Sequence, residues 1–116
     1  MNRKLNLRNL NLIDSNSENI IEAYRSEYAE NPVDFLYYIN SNEGKLLGSV
    51  MLQDGPVGQE GTLDGIYDAD LLEIVRDRLK AMQKSNQACD YNARALTHIE
   101  EALYQLKLKK ENGYDC

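Results

Sequence analysis

The chain is poor in the residues that usually mark an enzyme, a metalloprotein or a membrane anchor. Its 116 residues include one histidine, two cysteines, two prolines, one phenylalanine and no tryptophan. With His98 alone and no Cys-x-x-Cys pair, the ligands of a zinc site are missing and no metal is expected. Cys89 and Cys116 lack metal-type neighbours, so reduced thiols in a cytoplasm are the expectation. Positive charge is also short: 13 Lys+Arg stand against 19 Asp+Glu, a formal net charge of −6. That balance argues against DNA or RNA as a partner, which needs a basic footprint, but a small anionic ligand needs only a few local cations. No apolar run approaches the roughly 20 residues of a membrane span, and the first residues lack the apolar core of a secretory signal. A cytoplasmic chain without a membrane partner is expected. Its length allows one domain, or a small one with an appended subdomain.

What is present is helical periodicity. Cys89, Asn92, Leu96, Ile99, Leu103 and Leu106 recur at alternating steps of three and four, and Leu72, Val75, Leu79 and Met82 keep the same rhythm. Two helices folded back on each other over residues 68–112 account for both seams. Ala88, Ala95 and Ala102 lie beside the longer seam, where small side chains let another helix approach. Asp68 is the expected N-cap, Asp70 and Glu73 suit the positive end of the first helix, Ser85-Asn86-Gln87 makes the turn, and Gly113 stops the second helix.

Ahead of the hairpin the pattern is that of a β-rich cap over residues 1–57. Leu5, Leu7, Leu10 and Leu12 suggest an irregular edge strand. Ser15-Asn16-Ser17-Glu18 fits a capping box, so a short helix with the stripe Ile20, Ile21, Tyr24 and Tyr28 is expected to follow, ended by Asn31-Pro32. Val33 to Asn40 and Lys45 to Gln53 read as a β-hairpin about Ser41–Gly44, with Gly44 taking positive φ. Residues 58–67 are a link, within a stretch carrying Gly55, Gly58, Gly61 and Gly65. Its glycines suit a phosphate cradle, yet it lacks the GxxxxGK[ST] pattern, and a plain connection is the simpler reading. The predicted fold is thus α+β: a small antiparallel sheet with a short helix, then a long antiparallel helical hairpin.

No catalytic set emerges. His98 lies off the seam, and Glu100 and Glu101 point in different directions, which suits surface or interhelical charges. Asn92 is the sharper lead, because an amide on an apolar seam costs roughly 1–3 kcal/mol if unpaired. It either fixes the register of the hairpin or of an oligomer, or donates to a ligand lodged between helices. Met82 is a core residue or a soft surface for a flat base. Arg76 and Arg78 add positive charge to the first helix. Lys107, Lys109 and Lys110 answer the helix dipole or neutralise a pyrophosphate from a neighbouring chain.

Three segments then carry a resemblance: MLQDGPVGQEGTLDG from Met51 to Gly65, DADLLEIVRDRLKAMQ from Asp68 to Gln83, and CDYNARALTHIEEAL from Cys89 to Leu103. Together they resemble the phage Thoeris anti-defence (Tad-type) proteins, whose helical hairpin is shared with anti-CBASS sponges. That pattern reads roughly as a strand ending in QNGP, a glycine-rich link, an I/L/V-x-D-R-L-x-x-F-Q helix and a C-x-x-N-x-x-A-L-T-x-x-E-E-A-L helix. About half the chain matches in one order, with similar spacing.

The resemblance implies a non-enzymatic sponge without a cofactor. It would bind cyclic ADP-ribose isomers made by bacterial TIR enzymes and sequester them uncleaved. Some members also hold cyclic oligonucleotides in a separate site. They are homo-oligomers, dimers that can assemble to hexamers, with nucleotide pockets between chains, so a dimer or hexamer is expected here. By position, Asn92 matches the family's seam asparagine, Met82 stands at a usual Phe, and Lys109 stands at a common Arg, which keeps the charge but loses the bidentate fork. Gly113 replaces an expected basic residue, and Asp90-Tyr91 an Arg-Glu pair. Met82, Asn92, Lys109 and Arg78 are the expected ligand-binding residues. Two other readings remain: a sponge for cyclic di- or trinucleotides, and an oligomeric protein–protein adaptor with no nucleotide.

Overall fold

A computed structural model describes residues 5–14, 16–26, 35–53 and 65–113. They fall into two compact units divided between Ile66 and Tyr67. The first is a four-stranded antiparallel sheet of β1 (Leu5–Asn9), β2 (Ile20–Ser26), β3 (Leu36–Asn40) and β4 (Leu46–Met51), in that order across the sheet. The second is a pair of helices, α1 (Asp68–Gln83) and α2 (Asp90–Glu111). The α+β class is as the patterning predicts.

The short helix expected after Ser17 is replaced by β2. Turn chemistry explains the first part of the difference. The Asp14 carboxylate accepts from Asn16 N–H at 3.0 Å and the Ser17 hydroxyl accepts from Asn19 N–H at 3.3 Å, so these side chains close a turn ahead of the strand. Ile20, Ile21 and Tyr24 then favour a pleated strand, and β2 has ladder partners on both sides. Tyr28 and the Asn31-Pro32 stop lie outside the described residues.

Two faces follow from the register. On one, Ala23 is fully buried and Phe35 nearly so. On the other, Leu7, Tyr24, Leu36 and Met51 stand in a single cross-strand row, with Leu7 and Met51 substantially exposed. Beside this row Glu22 accepts from the Tyr24 hydroxyl at 3.1 Å and the Asn40 amide at 3.0 Å. Tyr38 meets Tyr24 edge-on, with ring centroids 5.3 Å apart. Desolvation, and then the Glu22 carboxylate, raise the Tyr24 phenol above its ordinary pKa.

The β3–β4 turn is as expected: Gly44 has φ of 86°, and Ser41 N–H donates to the Lys45 carbonyl at 2.8 Å. Between Ile39 and Asn40 the register slips, leaving Leu47 as a bulge in β4. Beyond β4, Ile66 bridges to Leu52, donating to the Met51 carbonyl at 3.0 Å and accepting from Gln53 N–H at 2.8 Å. Gly65 sits so close that a Cβ there would lie 2.5 Å from the Met51 carbonyl oxygen. Gly65→Ala is therefore expected to destabilise the sheet unit by about 1–3 kcal/mol, since backbone rather than a flexible side chain must yield. Urea denaturation followed by far-ultraviolet circular dichroism measures it. The rest of the glycine-rich stretch, residues 54–64, lies outside the described residues.

In the hairpin the N-cap of α1 is Tyr67, one residue before the expected Asp68, and the Asp70 carboxylate accepts its N–H at 2.9 Å. Cys89 is an exposed N-cap of α2 and not a seam residue; its Sγ accepts from Asn92 N–H at 3.4 Å. Gly113, with φ of 78°, closes α2 as expected. The seam holds at Leu72, Leu79 and Met82 and at Leu96, Ile99, Leu103 and Leu106, all half-buried. Val75 departs from it. It is exposed, and half-buried Arg76 takes the inward position, its Nε 2.8 Å from Glu100 Oε2. Neither helix has a fully buried residue. No described helix is long and apolar enough to cross a membrane.

Candidate functional site

The turn of the hairpin is built by its own polar side chains. The Ser85 hydroxyl donates to the Met82 carbonyl at 2.7 Å and accepts from Gln87 N–H at 3.0 Å. Gln83 Oε1 accepts from Cys89 N–H at 3.0 Å. These bonds fix the last turn of α1 against the first turn of α2. They leave a surface groove of about 340 Å³ lined by Asp77, Arg78, Ala81, Met82, Ser85 and Gln87.

Asn92 does not line this groove but touches two residues that do. Its Nδ2 donates to the Gln87 carbonyl at 3.3 Å and lies 3.9 Å from Met82 Sδ. A carbonyl only accepts, so the amino group of the side chain must face Gln87. The amide oxygen is thereby turned away, with no hydrogen-bond partner among the described residues. The partner expected for a seam amide is thus present for one half of the group.

Arg78 and Arg76 differ in what they are free to do. The Glu100 hydrogen bond raises the Arg76 pKa above its ordinary value, and Glu73 lies 3.6 Å away, so Arg76 is engaged in joining the helices. Arg78 is exposed, lines the groove and makes no ion pair among the described residues. Lys109 is half-buried in the last turn of α2. It follows Asn92 by 17 residues, which on a helix rising 1.5 Å per residue is about 25 Å. The structure therefore brings Arg78, Met82 and Asn92 together within one chain and leaves Lys109 apart from them.

A second concavity, of about 350 Å³, runs along α2 past Thr97, Glu100, Glu101, Tyr104 and Gln105. Its carboxylates are committed: Glu100 to Arg76, and Glu101 to His98 at 3.3 Å. His98 is 75% exposed, and Glu101 is its one hydrogen-bond or ion-pair partner among the described residues. As read from the sequence, Glu100 and Glu101 are interhelical and surface charges.

Among known proteins, one named Thoeris anti-defense 1, from Bacillus phage SBSphiJ7, is 42% identical to this chain over 60 residues. The similarity is thus to a Thoeris anti-defence protein. It spans 52% of this chain and 42% of the relative, so this chain covers under half of that protein's length. No protein-family model matches. The Tad-type resemblance drawn from the hairpin motifs agrees with this comparison.

Sequence reasoning passed over Asp77, Ser85 and Gln87 as lining residues. The signal for Asp77 was present: it lies four residues before Ala81, as Arg78 lies four before Met82, which places both pairs on neighbouring rows of α1. Ser85 and Gln87 join the groove through turn geometry, for which periodicity offers no sign.

Proposed function

We propose that this chain is a phage anti-defence protein that acts inside the host cell by binding a cyclic ADP-ribose-type signal and holding it uncleaved. The observation that carries this reading is that Arg78 and Met82 line one groove at the hairpin turn, with Asn92 Nδ2 3.9 Å from Met82 Sδ. A cation for phosphate, a thioether for the face of a base and an amide suit a nucleotide. The name of the phage relative supports the anti-defence part of this reading. The pocket is completed by a second copy of the chain, which supplies Lys109 to a site whose own Lys109 is out of reach. Exposed Ile74, Val75, Tyr91 and Tyr104 provide apolar surface for that association.

Incubation with a cyclic ADP-ribose isomer is expected to deplete it from solution mole for mole. Heating the complex returns it unchanged, as read by liquid chromatography and mass spectrometry. A cleaved product identifies a hydrolase instead. The same apolar surface also suits an adaptor without a nucleotide, and substitution at Asn92 separates the two. Titration with cyclic di- and trinucleotides beside the cyclic ADP-ribose isomers distinguishes a sponge for that second class.

A further inference from the structure

Helix α1 carries two seams. One packs inside the hairpin through half-buried Leu72, Leu79 and Met82. The other, Tyr67, Leu71, Ile74, Arg78 and Ala81, recurs at steps of four and three along a different side of the helix. It is open: Tyr67 and Ile74 are 55% and 59% exposed. Charge divides along the same helix. Residues 68–75 hold three acids and no base, and residues 76–84 hold four bases and one acid. Arg76 is taken by Glu100, but Arg78, Lys80 and Lys84 make no ion pair among the described residues. A parallel copy of this helix sets like charge against like. An antiparallel copy sets each acidic half against a basic one, twice over.

We infer that a second copy of the chain covers this seam, with α1 antiparallel to its counterpart and Ile74 on the two-fold axis. Side-chain size fixes the register. About Ile74, Tyr67 falls opposite the partner's Ala81, the bulkiest residue of the stripe against the smallest. Asp70 falls level with the partner's Arg78, and Leu71 lies beside the aliphatic stem of that arginine. One oxygen of Asp70 accepts from Tyr67 N–H, which leaves the other for the guanidinium. The inference rests on the two-copy pocket above and gives it an arrangement. Within the hairpin Arg76 meets Glu100 and Met82 meets Asn92, so Lys109 lies level with the first residues of α1. The two-fold through Ile74 sets that end level with the partner's Met82. The lysine out of reach of its own groove is thus carried to the level of the other.

Oxidative cross-linking of the full chain in a Cys89→Ser, Cys116→Ser background tests this, with covalent dimer read by non-reducing electrophoresis. Ile74→Cys is expected to link to itself, because a disulfide needs Cα atoms within roughly 7 Å and a residue on the two-fold meets its own copy. Tyr67→Cys and Ala81→Cys are each expected to stay unlinked alone and to link when mixed. Arg78→Glu is expected to raise the dissociation constant roughly tenfold in sedimentation, since a charge pair is lost at two symmetric places. All four positions are exposed, so the variants keep the hairpin, and circular dichroism verifies that. If Tyr67→Cys and Ala81→Cys each link to themselves, the helices run parallel. If wild type associates and none of the three links, or Arg78→Glu associates as tightly as wild type, the copies meet elsewhere. In each of these cases this inference falls and the two-copy pocket stands. A wild type that stays monomeric at every concentration removes both.

Discussion

Asn92→Leu is expected to lower affinity for the cyclic ADP-ribose-type ligand on the order of a hundredfold. The reason is local. Leucine removes the amide beside Met82, and a ligand group that loses its hydrogen-bond partner there costs about 1–3 kcal/mol. The isolated hairpin should be no less stable. The Gln87 carbonyl released by the substitution lies in an exposed turn, where water replaces the 3.3 Å bond, and the leucine continues the stripe of Leu96, Ile99 and Leu103. Isothermal titration and an unliganded melt measure the two effects on the same preparation. Retained ligand affinity would remove Asn92 from the site. Retained partner binding in a variant that binds no nucleotide, where wild type also binds none, identifies an adaptor.

The second large effect concerns α1. Leu71, Ile74 and Val75 share one side of the helix, and Ile74 and Val75 are 59% and 42% exposed. A two-helix unit without one fully buried residue has little to hold it together alone, since most helical stability comes from packing an apolar face. Ile74→Asp is expected to dissociate the proposed assembly. Covering an isoleucine is worth about 1.5–3 kcal/mol, and a two-fold interface counts it twice, so the dissociation constant should rise by roughly two to four powers of ten. Sedimentation over a concentration series measures it. The melting temperature of wild type should also climb with protein concentration, because association stabilises only the folded state. A wild-type chain that sediments as a monomer at all concentrations would sink the inter-subunit pocket.

The hairpin was legible because its signal repeats. Seven half-buried apolar seam positions were marked by a three-and-four rhythm, and so many recurrences outvote any local accident. The exceptions show the limit. Val75 and Arg76 are adjacent, and hydropathy prefers the valine inside; what reverses them is Glu100, 24 residues away, which periodicity on one helix cannot see. The stretch Ile20-Ile21-Glu22-Ala23-Tyr24 was ambiguous for a different reason. Over five residues a helical stripe and a strand look alike, and ladder partners on both sides decided for the strand. At the groove, Met82, Arg78 and Asn92 could be named from sequence, but the direction of the Asn92 amide could not. It depends on the Gln87 carbonyl, a backbone group with no residue-type signature.

The bulge at Leu47 and the bridge from Ile66 to Leu52 bear on how much of this protein a cell can tolerate. A binder that does not recycle must be abundant to outnumber its target, and crowding turns any open strand margin into a seed for aggregation. Here β4 is kinked at one end and capped by main chain at the other, while β1, at the opposite margin, carries the charge of Arg8. Both borders of the sheet are thus discouraged from stacking onto a neighbour, which would suit the proposed sponge, whose effect would grow only with its copy number.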